Sequence, residues 1–293
     1  MYDASTLLQF LIGGLSVGCI YGLVGIGYSV LYNSSGIINF AQGGFVMLGG
    51  MLTYIFHSIV GVPLVLAMLA AIALVSCLGL VIEWAVIRRL RQRDASVFIM
   101  ILATLACQIL IENATLHFVD DKPHSIPYFT PGPPLQFLGV AVGLQILWII
   151  AVSLLLVFLL GLLYSRTKFG RAMRACAINP DVARILGIKV ERMVAAGFIL
   201  SAALGAIGGI LITPTQYTAF NVGIPFAVSG FIAAIIGGLG NPLGAFIGGI
   251  ALGVLQSVGV VFIDAGYKNV VAFTILLLLL FLRPQGLFRS LVE

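Results

Sequence analysis

The run Arg166-Thr-Lys-Phe-Gly-Arg-Ala-Met-Arg-Ala-Cys-Ala-Ile-Asn-Pro-Asp-Val-Ala-Arg-Ile-Leu-Gly-Ile-Lys-Val-Glu-Arg192 is the one long polar interruption in an otherwise apolar chain. Arg166, Lys168, Arg171, Arg174, Arg184, Lys189 and Arg192 stand in it against only Asp181 and Glu191. Its interior is not that of a linker. Asn179 suits a helix N-cap, Pro180 the first helical position and Gly187 the exit. Between them Val182, Ile185 and Leu186 fall at i, i+3 and i+4, which puts one apolar stripe on a short helix. Short loops rich in Lys and Arg stay on the cytoplasmic side of a membrane, so this segment is expected there. Two readings of it stay open: a folded handle for another protein, or a solvated anchor that fixes topology.

Working outward, the 293 residues are 61% hydrophobic and 9% charged, with a mean hydropathy of +1.17. That composition excludes a soluble domain and specifies an all-α polytopic membrane protein. The net charge of +5 does not indicate nucleic acid. It is gathered in Arg88, Arg89, Arg91 and Arg93, in residues 166–192, and in Arg283 and Arg289, a topology pattern and not a phosphate-tracking face. Cys19, Cys77, Cys107 and Cys176 form no Cys-x-x-Cys pair, so neither a disulfide framework nor a metal site is indicated. The N-terminus lacks the basic region and cleavage site of a signal peptide and reads as the start of the first span.

About nine apolar segments can be drawn, at about 20 residues for a full span: 7–32, 37–60, 63–87, 95–118, 143–165, 194–213, 225–239, 243–263 and 269–282. Eight or nine transmembrane helices are therefore expected, in a single transmembrane domain over 1–293. With every basic cluster inside, the N-terminus faces out, the Pro-rich loop 117–139 lies outside, and the C-terminus is cytoplasmic. Segments 225–239 and 269–282 are short. The pair around Asn241-Pro242 reads either as two spans or as a re-entrant hairpin. Gly44-Phe45 followed by Gly49-Gly50 echoes Gly230-Phe231 followed by Gly237-Gly238, five spans later; an odd offset makes the halves inverted repeats.

Glycines recur at every fourth position: Gly14, Gly18 and Gly22; Gly205 and Gly209; Gly240, Gly244 and Gly248. Such spacing lets helix backbones approach closely, either inside the bundle or at a homodimer seam. Two groups of polar residues lie at membrane depth. Asn39 and Gln42, with Gly43-Gly44, mark a broken helix at the start of the second segment, where freed backbone and amide groups can meet a zwitterionic substrate. Thr104, Gln108 and Glu112 recur at i, i+4 and i+8 with Asn113 adjacent, a polar stripe that is either part of a translocation path or interhelical glue. A carboxylate in a span is costly unless paired or wet, so Glu112 is expected to face inward. Glu83 reads as paired or interfacial.

No phosphate-binding loop, H-E-x-x-H, G-x-S-x-G or histidine cluster occurs, so no residue is assigned a catalytic role and no cofactor or metal is expected. An ion-driven transporter or channel would need buried carboxylates, and Glu112 is the only deep candidate. A transporter driven by partner proteins needs a cytoplasmic handle instead.

Several stretches together resemble the permease subunits of branched-chain amino-acid ABC importers of the LivH type. They are residues 21–28 (YGLVGIGY), 36–43 (GIINFAQG), 170–177 (GRAMRACA) with Ala183 and Leu186-Gly187-Ile188, 230–240 and 283–288 (RPQGLF). They run through nearly the whole chain in family order. The resemblance implies a helical fold with inverted repeats, in a bacterial inner membrane. It implies a homologous LivM-type permease partner, two cytoplasmic ATP-binding-cassette ATPases and a periplasmic solute-binding protein. Residues 166–192 would be the element that couples to an ATPase, with Arg171, Arg174, Asn179, Pro180, Arg184 and Gly187 its candidate residues. Asn39, Gln42, Thr104, Gln108, Glu112 and Asn113 would lie on the substrate path. Two departures stand out. The family usually has His where this chain has Gln42, which keeps hydrogen bonding and loses titration. The Glu-Ala-Ala-x-x-x-Gly form of many importer permeases is also absent. Similar permeases carry urea, short amides or aromatic acids as well as Leu, Ile and Val.

Overall fold

Each apolar segment up to residue 262 is carried by a helix. A computed structural model of the chain describes residues 4–137 and 140–262, with 270, 272–274, 277–278 and 281. The helices are α1 (Ala4–Ser35), α2 (Gln42–Tyr54), α3 (Leu64–Ile82), α4 (Arg88–Gln92), α5 (Val97–Phe118), α6 (Leu144–Arg166), α7 (Lys168–Ile178), α8 (Pro180–Ile185), α9 (Val190–Gln216), α10 (Gly223–Gly237) and α11 (Pro242–Phe262). A π-turn over Ile55–Ile59 prolongs α2, and another over Glu83–Ile87 joins α3 to α4. Among the described residues six helical stretches are long and apolar enough to cross a membrane, and Gly223–Gly237 is a shorter apolar helix. The chain is a polytopic α-helical membrane protein. The expected ninth segment, 269–282, lies for the most part outside the described residues, as do the tail beyond it and the stretches 1–3 and 263–269.

The helices α1 and α9 are the centre of the bundle. From Cys19 to Leu31 nearly every α1 side chain is buried, so it is apolar all round and not amphipathic. The α1 helix packs on α9, α10 and α11, while α9 packs on α1, α2 and α3. That reciprocity pairs α1–α2–α3 with α9–α10–α11 and gives α2 and α10 corresponding places, the two helices that carry the echoed glycine stretches. At 15 residues α10 is about 22 Å long, short of a hydrocarbon core about 30 Å thick. It turns into α11 through Gly238 and Gly240, both at positive φ, and Asn33 Nδ2 donates to the Gly240 carbonyl at 2.7 Å.

The glycine rows are used inside the chain. A Cβ on Gly14, Gly18 or Gly22 would strike α11 at Gly253, Gly249 or Phe246, and one on Gly244 or Gly248 would strike α10. Internal packing accounts for these rows without a homodimer seam.

One departure from a purely helical chain is a small antiparallel hairpin, β1 (Leu135–Phe137) with β2 (Val140–Val142). It belongs to the loop that follows α5. Near that loop's start His124 forms an isolated antiparallel bridge with Thr218, its ring stacks on Tyr54 at 4.1 Å between centroids, and its Nε2 meets Asp120 Oδ1 at 2.7 Å. This hydrogen bond is the main reason the Asp120 carboxyl is held below its usual range, helped by the Lys122 amide. A depressed carboxyl stabilises the folded loop above its ordinary range, and that contribution is lost as pH falls through the depressed value. Acidification below about pH 4 is expected to speed proteolysis of residues 119–134, and Asp120→Asn is expected to flatten that pH step.

Candidate functional site

Two parts of the molecule carry chemistry. The first is the basic segment, which folds as two short helices. Thr167 Oγ1 accepts from the Gly170 amide at 3.0 Å and starts α7. Asn179 Oδ1 accepts from Asp181 and Val182 amides at 3.0 and 3.1 Å and starts α8, with Pro180 in its first turn. Gly187, at φ +81°, closes α8, a conformation that costs glycine nothing and other residues a strained backbone. The α7 helix is anchored: Met173 and Cys176 are buried, and Arg174 lines a cavity of about 140 Å³ with Tyr164, Asn241 and Pro242, beside the α10–α11 turn. The α8 helix is not anchored in the same way. Only Ala183 is buried in it; Val182, Ile185 and Leu186 are 49%, 85% and 71% exposed. Arg184 pairs with Asp181 at 2.9 Å on the same face-turn of the helix, and Arg171 is exposed.

The second part is where the helices break. The α1 helix ends at Ser35, Gly36 turns the chain at φ +70°, and residues 37–41 run non-helically into α2. Asn39 Oδ1 accepts from the Ala41 amide at 3.1 Å, while its Nδ2 is buried without a partner. The Phe40 amide donates to Thr104 Oγ1 at 3.1 Å. Gln42 and Ser201 bond reciprocally: Gln42 Nε2 donates to the Ser201 carbonyl at 3.0 Å and Ser201 Oγ donates to Gln42 Oε1 at 2.6 Å. The Gly44 amide donates to Gln108 Oε1, and Gln108 Nε2 donates to Glu112 Oε1 at 2.8 Å. A matching break at 217–222 precedes α10, with Tyr217 at φ +62°. The two breaks meet. Gly43 and Gly223 lie backbone to backbone, so that a Cβ on either would overlap the other's peptide. Two helix N-termini, each with a partial positive charge, therefore converge beside the Gln108 amide. Tyr28, Phe40 and Phe231 form an aromatic cluster next to them, with ring centroids 5.5–6.3 Å apart.

Broken helices meeting at membrane depth are a transporter's feature, and comparison with known proteins agrees. Residues 10–280 match the family model described as branched-chain amino acid transport system / permease component. The chain is 35% identical over 294 residues to the high-affinity branched-chain amino acid transport system permease protein BraD of Pseudomonas aeruginosa, covering 96% of this chain and 95% of that one. It is 30% identical over 296 residues to the permease protein LivH of Escherichia coli, at 96% and 94% coverage. A probable LivH permease of Methanocaldococcus jannaschii is 28% identical over 280 residues, at 90% and 87%. This chain belongs to the branched-chain amino acid transport permease family.

In this permease the expected path residues Asn39, Gln42, Thr104, Gln108 and Glu112 come together around the start of α2. Asn113 does not join them. It is exposed, and its Nδ2 donates back to the Ile109 carbonyl at 2.8 Å. Glu83 is buried in the second π-turn, and the ion pair made by Arg88 is with Glu191 of α9. Ser201 and the Gly43–Gly223 contact belong to this candidate site and were missed in the sequence reading. Ser201 was detectable as a hydroxyl in the middle of an apolar span; the glycine contact needs the tertiary structure. Among the described residues no group of three His, Cys, Asp or Glu side chains is placed to hold a metal.

Proposed function

We propose that the chain is the membrane-spanning subunit of an ATP-driven importer for branched-chain or related hydrophobic amino acids. The reading puts it in a bacterial inner membrane with its N-terminus outside and its C-terminus in the cytoplasm. Its partners are a homologous LivM-type permease, two cytoplasmic ATP-binding-cassette ATPases and a periplasmic solute-binding protein. The observation that carries this is the bare apolar stripe on α8. A capped helix that turns Ile185 and Leu186 to solvent among arginines is built to be covered by a protein. Arg174 of the neighbouring α7 reaches the α10–α11 turn, so force on the segment can reach the helices that flank the break. Substrate identity follows the names of the relatives; the amide-lined neighbourhood of Gln42 and Gln108 and the aromatic cluster suit a zwitterion with an apolar side chain.

The test is leucine uptake into membrane vesicles containing the assembled system, with and without the ATPases. Uptake that stops without them supports the reading. Uptake that continues on an ion gradient favours an ion-coupled transporter, for which Glu112 would be the relay.

The Glu112 carboxylate accepts from Gln108 within one helix face, a structural use of the group. Glu112→Gln keeps that acceptor and is expected to retain most transport. Glu112→Leu strands the Gln108 amide, at a cost of about 1–3 kcal/mol, and is expected to lower transport and thermal stability together. Equal loss in both variants would mark a proton relay.

A further inference from the structure

A second feature of the basic end of the molecule is left over once α8 is assigned. A cavity of about 780 Å³ opens between the end of α3 and the start of α9. Its apolar side is Leu80 and Trp84; its lining carries the cations Arg88, Arg184, Lys189 and Arg192 and the carboxylates Glu83 and Glu191. Trp84, in the π-turn that follows α3, is 56% exposed, and the Arg89 guanidinium lies 5.2 Å from its ring centroid. An exposed tryptophan with basic groups beside it marks the membrane–water boundary. Arg88 and Arg184 are already paired, with Glu191 and Asp181. The side chains of Lys189 and Arg192 are exposed and have no ion pair among the described residues.

We propose that this cleft binds an anionic phospholipid. The phosphodiester would lie against Lys189 and Arg192, with the glycerol and upper acyl chains along Trp84 and Leu80. Charge complementarity selects the occupant: four cations against two carboxylates, above an apolar, laterally exposed wall, match a molecule that is anionic at one end and a hydrocarbon at the other. Neither an inorganic anion nor a neutral lipid uses both halves. The lipid would bridge α3 to the α8–α9 junction and steady the segment next to the apolar stripe. This inference rests on the chain spanning a membrane and does not depend on the ATPase reading.

The test uses the chain purified from membranes with its assembled partners, exchanged into mild detergent with dioleoylphosphatidylglycerol or dioleoylphosphatidylcholine. Retained lipid is measured by native mass spectrometry. Wild type is expected to hold phosphatidylglycerol and not phosphatidylcholine. The double variant Lys189→Gln/Arg192→Gln, which changes two exposed side chains, is expected to lose about tenfold or more in retention, and Trp84→Leu is expected to weaken it as well. Equal retention by wild type and the double variant would overturn the proposal. So would equal retention of phosphatidylcholine, displacement by millimolar inorganic phosphate, or retention only when the partner proteins are stripped away. This last outcome would make the cleft part of a protein interface.

Discussion

Replacing Ile185 and Leu186 together by aspartate is expected to abolish uptake and release the ATPases, while the permease stays in the membrane in normal amount. Both side chains are largely solvent-exposed, at 85% and 71%, so little of the permease's own packing is lost. If a partner buries them, each contributes about 1.5–3 kcal/mol. Losing both, with two carboxylates left in an apolar contact, weakens association by at least two orders of magnitude. Co-purification of the ATPases and ATP-driven uptake both read this out. A companion change separates shape from surface. Gly187→Pro cannot adopt φ +81°, since proline is held near −65°, and is expected to uncouple ATP hydrolysis from uptake. Arg174→Glu, beside the α10–α11 turn, is expected to do the same. Normal transport in all of these variants would remove the coupling role.

The second large effect is structural. Gly209→Val is expected to prevent accumulation of folded protein. A Cβ at this position would overlap the Val46 carbonyl of α2. Both partners are backbone, so no side chain can rotate away; the two helices must part. Overpacking in cores typically costs about 1–3 kcal/mol, and separation of α9 from α2 would also disturb the Gln42–Ser201 pair. Gly161→Ala, where nothing lies within 4 Å, is the control and is expected to be silent. Yield in mild detergent and melting temperature decide the comparison.

Features read correctly in advance were those set by local chemistry. The capped α8 was legible because Asn179, Pro180 and Gly187 act within a few residues of themselves. The stripe Thr104, Gln108 and Glu112 was legible because every fourth residue shares a helix face. Asn113 falls outside that cluster for the same physical reason: a residue one position further lies about 100° round the helix, and it is exposed. The break before α2 showed in its glycines and amides. Its partner break before α10 falls in the gap left between the segments 194–213 and 225–239, but neither the positive φ of Tyr217 nor the meeting of the two breaks is announced by any residue type there. The reciprocal Gln42–Ser201 bond joins positions 159 apart, and the Gly43–Gly223 contact is longer still. Such pairs arise from the packing of α2 against α9 and α10, which apolar periodicity alone cannot register.

The measurement that bears most directly on the account is side-specific labelling of Ile185→Cys, with the four native cysteines replaced, by a membrane-impermeant thiol reagent. The expected result is reaction in inverted vesicles, none in right-side-out vesicles, and protection when the ATPases are added. Reaction from the outer side, or reaction from the inner side that the ATPases leave unchanged, would contradict it.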